Sequence, residues 1–448
     1  MTDHSSPLDH PAPLDHPAPL DHPAPLDHPA PLDRAAVARW VGERAHPIST
    51  GTSDVDPLSD LEPLRGIVGD AQVVGIGEAT RFAHELFAVK FRLLRFLVER
   101  MGFRALVIEE DWTKAQQFDH HIRTGEGDVR ALLDDAWGVW RTEEFVSALA
   151  WLRAYNRDHP GDPVRLVGID YARVRADAYD AVLVHVRRHS PDSAEAERHY
   201  AELRPNGAVA DHVEWVRSHH DRAGLLARAR RVHQIVSALP AHEGQAEAEW
   251  NARIVAGFFA YHAGEHDSTL MADGIIRWHE VTGARIVYWG GTGHSAVHRP
   301  QGATRTAVTD GTYLGDHFGA EYVSVALTFD HGSLLWEVVP ASPVLAESVF
   351  AEIDQDAFVL DLRGPVPSEV RRWRDLPTRT RVIGPRYDAA ADADHSLSGC
   401  AFGTWFDAVV HIREVTAVRF IEEPARAAQR VSGGVRGRPR PGDRGRRS

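Results

Sequence analysis

At 448 residues, with 43% hydrophobic and 25% charged residues, the chain has the composition of an ordinary globular protein with a sizeable core. Its net charge of -14 argues against a nucleic-acid binder, which needs a basic footprint. One cysteine, Cys400, excludes an intramolecular disulfide framework and fits a reducing compartment, and no apolar run approaches the length of a membrane helix.

Residues 7–33 repeat Pro-Leu-Asp-His-Pro-Ala with a six-residue period. Proline at that spacing forbids helix, and one leucine per unit buries too little surface to offset ordering entropy. Residues 1–34 are therefore read as a disordered tail. Its evenly spaced His10, His16, His22 and His28 could recruit a metal, although near-perfect copies read more simply as a recent duplication. No basic segment leads into an apolar one, so no secretory signal is seen and a cytoplasmic protein is expected.

An α/β domain is expected over residues 35–424. Its first strong signal is Val73-Val74-Gly75-Ile76-Gly77-Glu78, an apolar run ending at an acid, with a helix over 86–100 close behind. That helix has a broad apolar face, with Lys90, Arg92, Arg95 and Glu99 largely opposite it. A second strand, 104–108, ends at Glu109-Glu110-Asp111, and helices are predicted at 112–124, 128–137 and 142–157. The third strand, 164–169, ends at Asp170. Then comes a helical insert of about 173–282, with runs at 173–189, 192–203, 208–238 and 244–281. A fourth strand, 285–289, ends at Gly290-Gly291-Thr292-Gly293-His294. A short helix (311–318) and strands at 322–327, 334–339, 357–361 and 407–412 close the domain. The fold expected is α/β, a mostly parallel central sheet flanked by helices, with a large helical insert or lobe. Residues 425–448, rich in Arg, Gly and Pro, are read as a disordered basic tail.

Parallel strands deliver their carboxyl ends to one rim, where open α/β sheets bind their ligands. Glu78, Glu109, Asp170 and His294 all fall at or just past strand ends, and His84 lies in the first turn after Glu78. Two carboxylates and an imidazole in a partly dry cleft suffice for general acid–base hydrolysis, and Arg81 and Lys90 would stabilise a developing oxyanion. Taken singly, each has a plainer reading: an acid at a strand end caps the next helix, and Arg81 pairs with Glu78 or Glu85. Their shared topological position is what raises the set. Gly75-Ile76-Gly77 lacks the third glycine of a dinucleotide fingerprint, and no Gly-x-Ser-x-Gly elbow exists. His262 and His266, four apart, could hold a metal but read better as packing or surface residues. His120-His121 and His219-His220 are read as solvent-facing. Trp112, Trp137, Trp140 and Trp151 either fill the core or line a cleft for a bulky lipophilic ligand.

With these residues in place, the sequence resembles the erythromycin esterase family. The resemblance rests on Gly77-Glu78-Ala79-Thr80 with Glu85 and Lys90, and on Gly102-Phe103-Arg104-Ala105 running into Glu109. It continues through Trp140-Arg141-Thr142-Glu143-Glu144, Trp151-Leu152-Arg153-Ala154-Tyr155-Asn156, Gly168-Ile169-Asp170 and Val287-Tyr288-Trp289 ending at His294. It spans about 60–422 and implies an α/β core, a helical lobe and a deep cleft between them. The implied activity is hydrolysis of the lactone ester of macrolides, without a required metal, giving antibiotic resistance. The chain departs from the pattern at three places. Arg81 stands where the family has a histidine taken as the water-activating base, Gly291 replaces the first of two histidines, and Glu265-His266-Asp267 replaces an Asn-x-Arg-Asp stretch. An arginine cannot serve as a base at neutral pH.

The sequence thus predicts an esterase-like hydrolase of a bulky ester or lactone, acting by general acid–base activation of water. Glu78, His84, Glu109 and His294 are the expected catalytic residues; Arg81, Lys90 and Asp170 are expected to bind substrate. No cofactor and no metal are expected, and the partner is a small-molecule substrate rather than nucleic acid or a membrane, with a monomer as the default state. Two alternatives stand beside this reading. One is a binding or biosynthetic family member that has lost the esterase base; the other is a metal-dependent hydrolase ligated by Glu78, Glu109, His84 and His294.

Overall fold

The computed structural model describes residues 32–51, 57–265, 269–299 and 308–421. All but the last two residues of the 7–33 repeat, residues 425–448 and His266 lie outside them.

The centre is a nine-stranded sheet. In chain order its strands are β1 (His46–Pro47), β2 (Val73–Glu78), β3 (Ala105–Asp111), β4 (Arg165–Asp170), β5 (Ile286–Gly291), β6 (Tyr322–Ser333), β7 (Glu337–Val338) and β8 (Ala357–Asp361). A separate two-stranded sheet joins β9 (Pro377–Arg381) to β10 (Ser396–Ala401), and β11 (Ala408–Thr416) returns to the main sheet. The spatial order is β1-β8-β11-β6-β2-β5-β3-β4, with β7 beside β6. From β11 to β4 every neighbouring pair is parallel; β1, β7 and β8 are antiparallel additions. The sheet is thus mostly parallel and flanked by helices, an α/β fold.

Parallel strands covered on both faces read as continuous apolar runs, and β2 and β5 are buried throughout. Their side chains alternate between two cores. Val74, Ile76, Ile108, Val287 and Trp289 pack with residues of the helices His84–Met101, Trp112–Thr124 and Glu143–Asp158. Val73, Val107, Ile286 and Tyr288 pack with the helices that run from Ala176 to Thr282 between β4 and β5. A third core gathers Trp40, Phe350, Phe358, Trp373 and Trp405 around the helices Arg34–Gly42 and Ser368–Asp375.

Several predicted elements change. The run 208–238 is two helices, Val209–Ser218 and Arg222–Ser237, because the Asp221 carboxylate accepts from Gly224 N at 2.9 Å and starts a new helix. The run 244–281 ends its first helix at Ala263, followed by left-handed Gly264 (φ 83°), and a second helix spans Leu270–Thr282. The 128–137 helix shortens to Val129–Leu133, since Trp137 N is drawn to the Glu110 carboxylate at 2.7 Å. The charged side of the helix after β2 is covered too: Lys90, Arg92 and Arg95 are all buried. Arg92 reaches Asp60 and the Ser49 carbonyl in the N-terminal segment, and Arg95 pairs with Glu99 beneath Trp151. His121 is also buried, bonded to the Glu126 carbonyl at 2.8 Å. Among the described residues no helix is long and apolar enough to cross a membrane.

Candidate functional site

The rim is built where β2, β3, β4 and β5 end side by side. β2 pairs with β5 in register, bringing Glu78 opposite Gly291, and β3 carries Glu109 just past its pairing with β5. Gly77 is required here: a Cβ would stand 2.8 Å from the Thr292 Cα, so only glycine lets the turn Thr292–Ser295 lie against β2. That turn presents His294. Behind β5, Tyr288 points to the opposite core and ends at the same rim.

These side chains form one chain of contacts. Lys90 pairs with Glu78 and donates to the Gly290 carbonyl at 2.7 Å. Arg81 lies 3.3 Å from Glu78 and forms an ion pair with Glu109. Glu109 also accepts from Tyr288 Oη and Gly291 N, each at 3.1 Å. Tyr288 Oη reaches Asp310 at 3.4 Å, and Asp310 holds His294 Nδ1 at 3.1 Å. Gly291 has a specific part in this: a Cβ there would stand 3.1 Å from Arg81 Nη2, so the bare backbone leaves the space the guanidinium fills.

The charges respond to one another. Burial would raise the Glu109 pKa, but Arg81, His294 and the Gly291 amide hold it at about 2. Burial would lower that of His294, yet Glu109 and Asp310 raise it to about 9, against a smaller opposing effect of Arg81. His294 is therefore an imidazolium at neutral pH. Burial pushes the Lys90 ammonium well down, partly countered by Glu109. Burial likewise raises Asp310, with His294 pulling the other way.

Beside this network lies a narrow cavity lined by Glu78, Thr80, Arg81, Ala83, Leu86, Phe87, Lys90, Val139, Trp140 and Trp289. Its free volume for the centre of a water-sized sphere is 10 Å³, which is about one water molecule. The resemblance implied a deep cleft against the helical lobe; this cavity is narrow, and no residue of 173–282 lines it. Trp140 and Val139 wall it, so that part of the tryptophan prediction describes the site. Trp137 stacks between Arg81 and Arg173, whose guanidinium carbons lie 4.5 and 4.7 Å from its ring centre. Trp112 packs instead on Trp250 and Trp278, and Trp151 on Phe91.

Of the residues singled out by sequence, Glu78, Arg81, Lys90, Glu109 and His294 are brought together. Asp170 stands at the next strand end, paired with Arg173 and accepting from Ala172 N at 2.9 Å; burial raises its pKa, and Glu109 adds to the rise. His84 turns away to Glu144 at 2.6 Å, a carboxylate that also binds Arg419 N. Among the described residues no three His, Cys, Asp or Glu side chains converge as a metal site would require, so Glu78, Glu109, His84 and His294 do not form a ligand set. His262 bonds the Ala172 carbonyl at 3.1 Å. Sequence reasoning missed Asp310 and the bridging role of Tyr288. Asp310 carried one faint signal, its place after Thr309 at a helix start.

Comparison with known proteins adds the following. A profile described as Erythromycin esterase matches residues 98–415. An Escherichia coli protein named erythromycin esterase type II is 32% identical over 139 residues, covering 30% of this chain and 31% of its own. The chain spans about a third of the length of the curated relatives it matches. A Bacillus cereus protein of known structure superposes with a TM-score of 0.74 at 23% identity, over 88% of this chain and 100% of that one. A mutant of erythromycin esterase EreC in its open conformation superposes with a TM-score of 0.64 at 15% identity, over 85% of this chain and 99% of that one. At those identities the two structures speak to the fold alone.

Proposed function

The chain belongs to the erythromycin esterase family, and from that premise we propose that it is a carboxylic ester hydrolase whose reaction centre is the rim of β2, β3 and β5. The observation that supports this most directly is the continuous network from Lys90 through Glu78, Arg81 and Glu109 to Asp310 and His294, lying beside a cavity. Glu78 is the carboxylate in the cavity lining and takes the proton from the attacking water. Arg81 and Lys90 offer positive charge to the carbonyl oxygen as it becomes an oxyanion. His294, an imidazolium held by Asp310, gives its proton to the departing alkoxide. Glu109 keeps Arg81 and the Gly291 backbone in place for both. His84, engaged by Glu144, is given no part in the chemistry.

The substrate class is a bulky ester or lactone, with macrolide lactones the first to try. The cavity as it stands holds about one water, so such a substrate enters only when part of its lining moves aside. The test is acid release from a panel of macrolides and aryl esters. Wild-type protein is expected to release acid from at least one, and Glu78→Gln and His294→Ala to lose at least about 100-fold. Variants as fast as wild type would show that the reaction centre lies elsewhere.

A further inference from the structure

Thr80 is a buried polar residue that the network above does not use. It is 3% exposed, and among the described residues its Oγ1 makes no hydrogen bond although it is shielded from solvent. Buried hydroxyls are nearly always bonded, so an orphan in a native core calls for an explanation. Its backbone is anchored. The preceding residue is pinned on both sides, Ala79 N donating to the Leu327 carbonyl at 2.9 Å and the Ala79 carbonyl accepting from Ile383 N at 2.7 Å. Thr80 lines the cavity together with Glu78 and Lys90. The Glu78 oxygen that faces Lys90 is likewise without a hydrogen bond beyond that ion pair. The lining thus sets a hydroxyl, a carboxylate and an ammonium among the apolar walls of Ala83, Leu86, Phe87 and Trp289, with Lys90 Nζ 5.3 Å from the Trp289 ring centre. A space for one water bounded by those three polar groups gives that water its two to four partners.

We infer that Thr80 is a positioning residue that seats the nucleophilic water against Glu78. The inference rests on the hydrolase reading above and adds to it the location of the water. The Thr80 hydroxyl and the Glu78 carboxylate fix the water's orientation and leave one of its lone pairs free for an incoming acyl carbon. On attack the water oxygen bonds to that carbon and its proton passes to Glu78. The tetrahedral species then collapses, the carbon–alkoxide bond breaks, and the alkoxide takes the proton of His294. An acid and an alcohol leave, and the two side chains regain their starting charge by exchange of one proton with solvent.

Thr80→Val and Thr80→Ser separate this from a packing role. Valine keeps the shape and deletes the hydroxyl; serine keeps the hydroxyl and deletes the methyl. The expected result for Thr80→Val is a fall in kcat of about 100-fold with KM within about twofold, as for a displaced reactant. Thr80→Ser should recover most of that loss. Thermal unfolding is the second readout. If the hydroxyl seats a water, Thr80→Val leaves that water short of a partner and lowers Tm. If the hydroxyl is a true orphan, the same change relieves it and raises Tm. Wild-type kcat or a raised Tm in Thr80→Val would overturn the proposal. Should wild-type protein hydrolyse no ester, the hydrolase reading fails on its own, while the sign of the Tm change still decides whether the water seat exists.

Discussion

His294, part-buried at the strand rim, and His212, buried in the helical lobe, have proton affinities that move in opposite directions. Burial disfavours the charged form of each. His212 lies between Phe258 and Trp215, at centroid distances of 5.1 and 5.5 Å, and His262 nearby disfavours a second charge; its pKa falls to about 4. His262 is shifted alike, to about 4, by burial, against an upward pull from its bond to the Ala172 carbonyl, with Arg217 and Arg222 adding to the fall. At the rim the same desolvation meets Glu109 and Asp310, and the balance reverses to about 9. Withdrawal from water sets the cost of a charge, and neighbouring carboxylates decide whether it is borne. The lobe is built as apolar packing and the rim as a charge network, which is the division expected of a scaffold and a reaction centre.

The most damaging way to break the rim is Glu109→Gln. It leaves part-buried Arg81 opposite a neutral amide with Glu78 as its remaining carboxylate, a loss of about 3 kcal/mol, the low end for broken buried pairs. Urea unfolding at neutral pH measures it, and ester hydrolysis should fall at least about 100-fold in the same variant. A stability within error of wild type would mean that Glu109 does not hold Arg81.

The pH responses of the two regions should also part. The native pKa of His212 lies below its unfolded value, so the unfolded chain binds more protons in acid. Stability from the lobe is lost as pH falls from about 6.5 to 4, by at most about 3 kcal/mol for this one histidine. His212→Phe should flatten that slope in urea titrations across pH 4–7. His294 has the reverse sign. Its raised pKa gives stability that is fully present below about 6.5 and lost as pH rises through about 9. If His294 is the proton donor, kcat/KM should hold through neutrality and decline above about 9, and Asp310→Asn should bring the decline to lower pH. A rate that climbs toward pH 9 would make His294 a base instead. The smallest effect is expected for His84→Ala. Its partly exposed pair with Glu144 is worth under about 1 kcal/mol, and hydrolysis should change less than about twofold.

The tips of β2, β3, β4 and β5 were legible because a parallel strand is a short apolar run, and an acid or glycine-rich turn ends each one. What sequence could not give was the cover over those strands. The buried Lys90, Arg92 and Arg95 sit on what a helical wheel presents as a solvent face. Only the fold reveals that Glu78, Asp60 and Trp151 lie against it. Tyr288 read as one more strand residue, because alternation assigns a face and not a hydrogen bond. Asp310 is sixteen positions from His294 along the chain, with no periodicity linking them. β9 and β10 carry little apolar alternation, and their pairing shifts register between Ser398 and Ala401. The family kinship was legible in joined motifs. Arg81, standing where the resemblance leads one to expect a histidine, gained its physical sense only when Gly291 proved to leave room for the guanidinium.

The central claim is that Glu78, Arg81, Glu109, Asp310 and His294 act as one electrostatic unit in which the proton on His294 depends on Glu109. An NMR titration of the His294 imidazole in wild-type and Glu109→Gln protein tests it without any substrate. A midpoint near 9 that drops in the variant is the predicted result. A midpoint at or below that of an ordinary histidine, unmoved by Glu109→Gln, would contradict it.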